Sequence, residues 1–341
     1  MFPRNAWYAV AWEHELGDAP HAVRVLGHDL VLFRGEDGVP AALTDACPHR
    51  RLPLSMGRVQ GDAIECGYHG MRFGRDGACV RVPGGGRIPP AARVRAWPLA
   101  AHLGLLWVWT GEAALADRAL LPEVDHWGDP AWGVNRGDSM RVAANQLLIT
   151  DNLLDPSHVA WVHPGSFGNA ACEDTPLRVH EGTDRVSVSR WMTDVEPAPF
   201  YAPLLPFGGR CDRLQHYEVR LPGVALARAV FVPAGTGGDG RPLPSEAFRM
   251  DSWNLLTPID DDATRYFWMQ LRNVRPDDDG LSAQLAASVR AAFEEDRVVL
   301  EAVHRGLRAD PSPTVPLAID AAPVRYRRLV ARRVEAEAGA S

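Results

Sequence analysis

The chain has no lysine; all 36 of its basic residues are arginine. Alongside its abundant alanine, glycine and proline, this reads as genomic codon bias and says nothing about function. It also has no apolar run approaching the roughly eighteen residues that a membrane-spanning helix requires. Its start, Met1-Phe2-Pro3-Arg4-Asn5, has no apolar stretch of the secretory type, so no membrane association and a cytoplasmic location are expected. A basic excess is missing too. The net charge is −7, which argues against a nucleic-acid partner, since such proteins present a basic face. Cysteine is scarce, five in 341 residues, which indicates no disulfide framework. Cys79, Cys172 and Cys211 are scattered and are expected to be free thiols in a reducing compartment. The remainder is ordinary globular composition, 46% hydrophobic and 23% charged, with length for two domains.

The other two cysteines organise the chain. Cys47-Pro48-His49 is followed, after a short intervening stretch, by Cys66-Gly67-Tyr68-His69. Each segment offers one thiolate and one imidazole. A [2Fe–2S] cluster needs four ligands, and two histidines in place of two cysteines on one iron raise its potential. Zinc also takes Cys and His at short spacings, but Cys-x-His is an uncommon first half for a zinc knuckle. The pattern resembles that of Rieske centres. By that match Cys47 and Cys66 hold one iron, and His49 and His69 the other. Respiratory-type members add a cysteine to each loop, whereas Leu52 and Tyr68 stand at the matching places here. Gly67, Gly70 and Gly74 suit a tight turn. Tyr68 is readable either as a hydrogen-bond donor to a sulfur or as core.

Around this pair the sequence reads as strands. Val23 to Leu26, Leu30 to Phe33 and Ala41 to Thr44 are rich in branched and aromatic residues and separated by turn residues. Leu103 to Trp109 reads as a buried strand closing a small β domain. The division is placed at 115/116. Beyond it, Asn145 to His163 reads as helical, Val179 to Trp191 as a strand, and Pro197 to Gly209 as a loop or lid. Further strands follow at Gln215 to Leu221, Val224 to Val232, Met250 to Thr257 and Thr264 to Asn273. Leu281 to Leu307 reads as one long helix.

A second constellation lies in Asn152-Leu-Leu-Asp155-Pro-Ser-His158-Val-Ala-Trp-Val-His163. Two histidines and an acid are the materials of a two-His, one-carboxylate iron site with open positions for O₂. On an ideal helix His158 and His163 would point about 140° apart, as two structural or solvated histidines also would. Aiming both at one metal requires the helix to bend or loosen. The long helix carries an apolar stripe at Leu281, Leu285, Val289, Phe293, Leu300, Val303 and Leu307, and the missing member is Asp296. Glu294 and Glu295 fall away from that face. A carboxylate on a core stripe is costly unless it is paired or bound to metal, and an arginine partner would serve as well as iron.

Together, Asn152-x-x-Asp155-x-x-His158-x4-His163 downstream of the cysteine–histidine pair, and Glu-Glu-Asp296-Arg-Val-Val-Leu-Glu in the last long helix, resemble the Rieske non-haem iron oxygenases. Asn5-Ala-Trp-Tyr, Cys47-Pro-His-Arg, Pro53-Leu-Ser, Asp151-Asn-Leu-Leu-Asp-Pro-Ser-His and Thr257-Pro are similar to the vanillate O-demethylase and dicamba monooxygenase branch. The resemblance implies an α+β fold: an N-terminal all-β Rieske domain, then a helix-grip (START/Bet v1-like) catalytic domain with an antiparallel sheet and a long C-terminal helix. It implies His158, His163 and Asp296 as ligands of a mononuclear Fe(II), and Asn152 near that iron.

It further implies a homotrimer fed with NAD(P)H electrons by a separate reductase bearing flavin and a [2Fe–2S] cluster. Asp155 would bridge His158 and a neighbouring subunit's His69. The expected reaction is monooxygenation of a small aromatic substrate, with O-demethylation and formaldehyde release as the leading form. N-demethylation, methyl hydroxylation or ring hydroxylation are alternatives. A more distant reading is an electron-transfer or ligand-binding module without oxygenase activity. Trp191, Phe200, Phe207, Phe231 and Trp253 are candidate pocket walls, with Arg228, His216 and Asn254 as polar anchors. Each of these is also readable as core or surface. Asn254 departs from the branch, whose members carry a histidine at that place to contact polar groups of the substrate. An amide hydrogen-bonds but carries no charge, which weakens the expectation of an aromatic carboxylate substrate.

Overall fold

The computed structural model describes residues 2–163, 165–168 and 171–339. It divides into two compact units. The first runs to Leu121 and takes in Thr257–Asp260; the second holds Pro122–Leu256 and Asp261–Ala338. The chain therefore crosses between units a little later than 115/116. Thr257–Asp260 joins the first because Leu26 N and Gly27 N donate to the carbonyls of Pro258 and Ile259, each at 2.8 Å.

The first unit is all β. Its strands are β1 (Trp7–Trp12), β2 (His21–Val25), β3 (His28–Arg34), β4 (Pro40–Thr44), β5 (Arg58–Gln60), β6 (Ala63–Glu65), β7 (Arg72–Gly74), β8 (Cys79–Arg81), β9 (Ala96–Trp97), β10 (Leu99–His102) and β11 (Leu105–Trp109). They form three sheets, ordered β1-β11-β10, β2-β3-β4-β9 and β5-β6-β7-β8. Every residue of β1 and β11 is buried. That is why both read as unbroken apolar runs, since alternation marks a strand with one wet face. Trp7 pairs with Trp109 across them, the rings edge to face at 5.6 Å.

The second unit contains β12 (Gly133–Val142), α1 (Gln146–Leu153), α2 (Val159–Val162), α3 (Ala171–Asp174), β13 (Arg178–Glu181), β14 (Arg185–Val195), β15 (Cys211–Arg220), β16 (Val224–Pro233), β17 (Phe248–Pro258), β18 (Thr264–Arg272), α4 (Asp279–Ala309) and α5 (Ala321–Gly339). One seven-stranded sheet runs β12-β18-β17-β16-β15-β14-β13. Helix α4 begins at the Asp278 cap, whose carboxylate accepts from Leu281 N at 2.8 Å. It buries Leu281, Leu285, Val289, Ala292, Asp296 and Leu300, and Phe293 packs on the Tyr266 and Trp268 rings of β18.

Several local expectations give way. β12 carries little alternation, so its sequence does not mark it as a strand. The strand expected over Val179 to Trp191 is the hairpin β13–β14, turning between Glu181 and Arg185. The apolar stripe of α4 ends at Leu300, because Val303 and Leu307 stand exposed. α5 follows, burying Tyr326, Leu329 and Val330. Its Arg327 pairs with Asp151 of α1 at 2.5 Å. The helix expected from Asn145 to His163 stops at Leu153 and resumes at Val159. Pro156 has no N–H to give and crowds the preceding turn.

Candidate metal centres and substrate cavity

In the first unit the two ligand segments are built alike. The Cys47 N–H donates to the carbonyl of Leu52 (2.9 Å), and that of Arg51 donates back to Cys47 (2.8 Å). The Cys66 N–H donates to Met71 (2.8 Å), and that of Gly70 donates back to Cys66 (3.0 Å). Each loop thus closes on its own cysteine with the same two spacings. Arg51 and Gly70 hold the matching position in left-handed backbone, φ 61° and 74°. Gly70 does so freely, and Arg51 at a conformational cost of the kind found at functional sites. The loops also press on their surroundings: a Cβ on Gly67 would stand 2.8 Å from the Met56 carbonyl.

The closure puts the four donors in two pairs. Cys47 and Cys66 are buried free thiols. Burial, then the neighbouring Cys66 thiol, push the Cys47 thiol above its ordinary range. The His49 and His69 rings lie 4.6 Å apart. Paired sulfurs on one side and paired imidazoles on the other suit a Cys₂His₂ [2Fe–2S] cluster. Tyr68 is 57% exposed, its ring 3.9 Å from that of His69, so it is not core. Glu65, just before Cys66, is buried and meets Arg58 at 2.5 Å, Arg72 at 2.6 Å and Arg81 at 3.3 Å.

In the second unit the break at Pro156 makes the other centre. His158 caps the start of α2 with helical backbone, and His163 ends it at φ −122°, ψ 45°, outside the helical region, so the second ring is not held to helical directions. Their ring centroids lie 5.6 Å apart. Asp296 Oδ1 is 3.2 Å from His163 Nε2 and 3.6 Å from His158 Nε2. The three potential ligand atoms all fall within 4.8 Å of one another. The remaining ring nitrogens are engaged. His158 Nδ1 donates to the Asp155 carbonyl at 2.5 Å, and His163 Nδ1 meets Glu295 Oε2 at 2.6 Å. A carbonyl can only accept, so His158 carries its proton on Nδ1 and presents the Nε2 lone pair. Burial lowers the His163 pKa, but Asp296 and Glu295 outweigh it and the net shift is upward. Two imidazoles and one carboxylate so arranged fit a non-haem Fe(II) site.

A cavity adjoins this trio. Phe167, Tyr201, Met250, Val289 and Phe293 give it apolar walls. Asn152, Ser252 and Asn254 add polar groups. Asn152 Nδ2 donates to Asp296 Oδ1 at 3.2 Å. Asn254 is fixed, its Oδ1 accepting from the Tyr266 hydroxyl (2.9 Å) and its Nδ2 donating to the Ser252 carbonyl (3.1 Å).

Comparison with known proteins agrees with this layout. Residues 6–98 match the Rieske [2Fe-2S] domain, and residues 142–336 match the vanillate O-demethylase oxygenase C-terminal domain. The chain belongs to the Rieske non-haem iron oxygenases. It is 37% identical to a putative toluene-4-sulfonate monooxygenase iron-sulfur subunit of Comamonas testosteroni, covering 99% of both chains. It is 33% identical to the vanillate O-demethylase oxygenase subunit of a Pseudomonas strain, covering 99% of this chain and 96% of that one. Among solved structures, dicamba monooxygenase bound to 3,6-dichlorosalicylic acid superposes with a TM-score of 0.90 at 30% identity, over 98% of each chain. This Rieske oxygenase is therefore an iron-dependent monooxygenase component with a [2Fe–2S] domain and a non-haem iron domain. No helix among its described residues is long and apolar enough to cross a membrane.

The oxygenase corrects several pocket expectations. Along β16, Ala227 and Ala229 line the cavity, so Arg228 between them faces away, where it pairs with Asp251 at 2.8 Å and Asp125 at 2.7 Å. His216, next to the lining residue Tyr217, is turned away by the same alternation. So is Trp253, between Ser252 and Asn254. Trp191 adjoins Arg190 on the opposite face of β14 and packs near Gly237. Phe200 and Phe231 stand behind the wall, their rings against Phe167 (4.3 Å) and Tyr201 (4.7 Å), and Phe207 packs on the core. Glu295 does not fall away from the trio but bonds His163. Asp155 meets His158 through its carbonyl, while its carboxylate accepts from Ser157 N at 3.0 Å and from the Ser157 hydroxyl. Tyr201, Tyr217 and Phe167, none of them a pocket candidate from sequence, line the cavity. Parity counted from Asn254 would have found Ser252 and Met250, but nothing local marks Tyr201.

Proposed function

We propose that this oxygenase oxidises a small aromatic substrate at a methoxy or methyl carbon, with O-demethylation as its leading reaction. The observation that carries the reading is the apolar cavity opening beside His158, His163 and Asp296. Relatives named as vanillate and dicamba O-demethylases support it. When bound, the cluster and the iron supply electron transfer and O₂ activation. His158, His163 and Asp296 would hold the iron beside the cavity that they help to line. The walls formed by Phe167, Tyr201 and Phe293 hold the ring and exclude water. Ser252 and the fixed Asn254 amide orient its polar substituents.

A methoxyarene, O₂, two electrons and two protons give a phenol, formaldehyde and water. Hydroxylation of the methoxy carbon leaves a hemiacetal, which collapses by breaking its C–O bond. The electrons come from NAD(P)H through a separate flavin- and [2Fe–2S]-bearing reductase. We assign the working form to a cytoplasmic homotrimer, in which Asp155 links His158 to the partner subunit's His69. Hydroxylation of an aryl methyl group is the second reading. The 37% relative favours it, since its named substrate carries a methyl and no methoxy group.

The test supplies iron-replete protein, a surrogate reductase and NADH with methoxylated and methylated aromatics, and follows formaldehyde and O₂ together. Formaldehyde in step with O₂ supports demethylation. A hydroxymethyl product without formaldehyde moves the assignment to the second reading. Substrate-independent O₂ loss across the whole panel refutes both.

A further inference from the structure

β15 carries a buried cation that the fold leaves uncompensated. Arg213 is 1% exposed, and no carboxylate among the described residues lies within ion-pair distance of it. Its Nη1 meets only the Cys172 thiol, a weak acceptor, at 3.6 Å. Its Nε is buried with no partner at all. The neighbouring buried arginine shows how a structural guanidinium is treated. Arg190 donates Nε to Gln215 Oε1 (2.7 Å), Nη1 to the Thr175 carbonyl (3.0 Å) and Nη2 to the Pro156 carbonyl (3.1 Å). Arg190 ties loops together through three strong acceptors; Arg213 reaches only the Cys172 thiol and the Tyr201 hydroxyl among the described residues, and neither carries a counter-charge. Its guanidinium lies over the rings of Tyr201 (5.2 Å) and Phe231 (5.1 Å), which attract a cation but do not replace lost hydration.

The placement says what is missing. Side chains two apart on a strand share a face, so Arg213, Gln215 and Tyr217 all point to the side where Tyr217 lines the cavity. Gln215 Nε2 is likewise buried without a partner. Tyr201 also lines the cavity, and Arg213 is the influence opposing the upward push of burial on its hydroxyl. Among the described residues the only acidic one lining the cavity is Asp296, which faces the two histidines. Asn254, at the place expected to contact the polar end of the substrate, is a neutral amide already held by Tyr266.

We propose that Arg213, acting through and beside the Tyr201 hydroxyl, is the specificity-determining anchor for an anionic substituent of the substrate, a carboxylate or sulfonate on the aromatic ring. This rests on the reading of the cavity as an aromatic oxidation site and adds to it. The anion supplies the counter-charge that the fold omits and accepts from unpartnered donors. It fixes the ring with its far end toward the histidines.

The experiment uses the iron-replete holoenzyme and three para-substituted methoxybenzenes: 4-methoxybenzoate, its planar neutral isostere 4-methoxybenzamide, and 4-methoxybenzenesulfonate. Binding is read by calorimetry and turnover by formaldehyde. The native protein is expected to bind at least one anion roughly tenfold to a hundredfold more tightly than the amide, as hydrogen bonds to a charged group imply. The tighter anion names the group. Arg213→Met should abolish that preference by weakening the anions far more than the amide, and Tyr201→Phe should reduce the preference in part.

Equal binding of amide and anions by the native protein overturns the anchor, as does an equal loss of both in Arg213→Met. If Arg213→Met does not fold, the native comparison and Tyr201→Phe decide. Anion preference without formaldehyde from any probe sustains the anchor and removes demethylation. Formaldehyde from the amide, bound as well as the anions, sustains demethylation and removes the anchor.

Discussion

Glu295 Oε2 lies 2.6 Å from His163 Nδ1, and on the other side of that ring Nε2 lies 3.2 Å from Asp296. Neighbouring residues of α4 thus grip one imidazole from both nitrogens. The outer carboxylate holds the proton on Nδ1 and leaves the Nε2 lone pair free for a metal, the usual arrangement behind a metal-bound histidine.

Glu295→Gln should therefore weaken iron retention without unfolding the chain. An amide accepts less strongly than a carboxylate and can turn its NH₂ toward the ring. A loss of roughly tenfold in iron affinity is expected, read as faster loss of one iron per chain to a chelator while the cluster absorbance stays constant. Unchanged release would show that Asp296 and the cavity alone orient the ring.

Asp155→Asn should separate metal binding from electron delivery. The backbone carbonyl that receives His158 Nδ1 is untouched by the substitution, so both metals should remain. Substrate-coupled NADH oxidation should nevertheless fall sharply, because the carboxylate is what the assigned link between subunits uses. Full coupled turnover in this variant would refute that link.

Glu65 predicts an acid limit for the first unit. Arg72 and Arg58 hold its carboxyl below the ordinary 4.5 against a smaller opposing effect of burial. A depressed folded pKa means that its stabilisation is present above the unfolded value and is lost as pH falls through the folded one. The gap in Tm between native protein and Glu65→Gln should be constant near neutrality and close below about pH 4.5. A gap that is independent of pH would mean that packing, and not charge, holds Glu65.

Tyr266→Phe removes the donor that fixes Asn254. It leaves a buried amide oxygen without its partner, at a cost of about 1–3 kcal/mol. The freed amide should also rotate. Relative KM values across substrates with different polar substituents should shift more than kcat does. A uniform loss of kcat with unchanged KM ratios would place Asn254 outside substrate recognition.

Both candidate constellations were legible because most of their residues are set by short-range spacing. Cys47-x-His49 and Cys66-x-x-His69 each sit on one self-closing loop, and Asp296 declares itself as the one acid on an apolar stripe that α4 buries. The convergence of His158 and His163 follows from a break that Pro156 marks locally. Most strands were visible for the same reason: branched residues in short runs bounded by turns need no knowledge of what they pair with.

The pocket was decided by tertiary structure. Arg228, His216 and Trp253 have the right chemistry for anchors and walls, yet each is one residue out of phase with a position that lines the cavity. A strand's two faces are chemically equivalent until pairing and packing choose the inner one. Tyr201 comes from a loop with no periodicity at all. Arg213 in the sequence is one arginine among many. Only the folded sheet leaves it buried, unpaired and behind a cavity wall, because whether a charge is compensated depends on what distant segments bring to it.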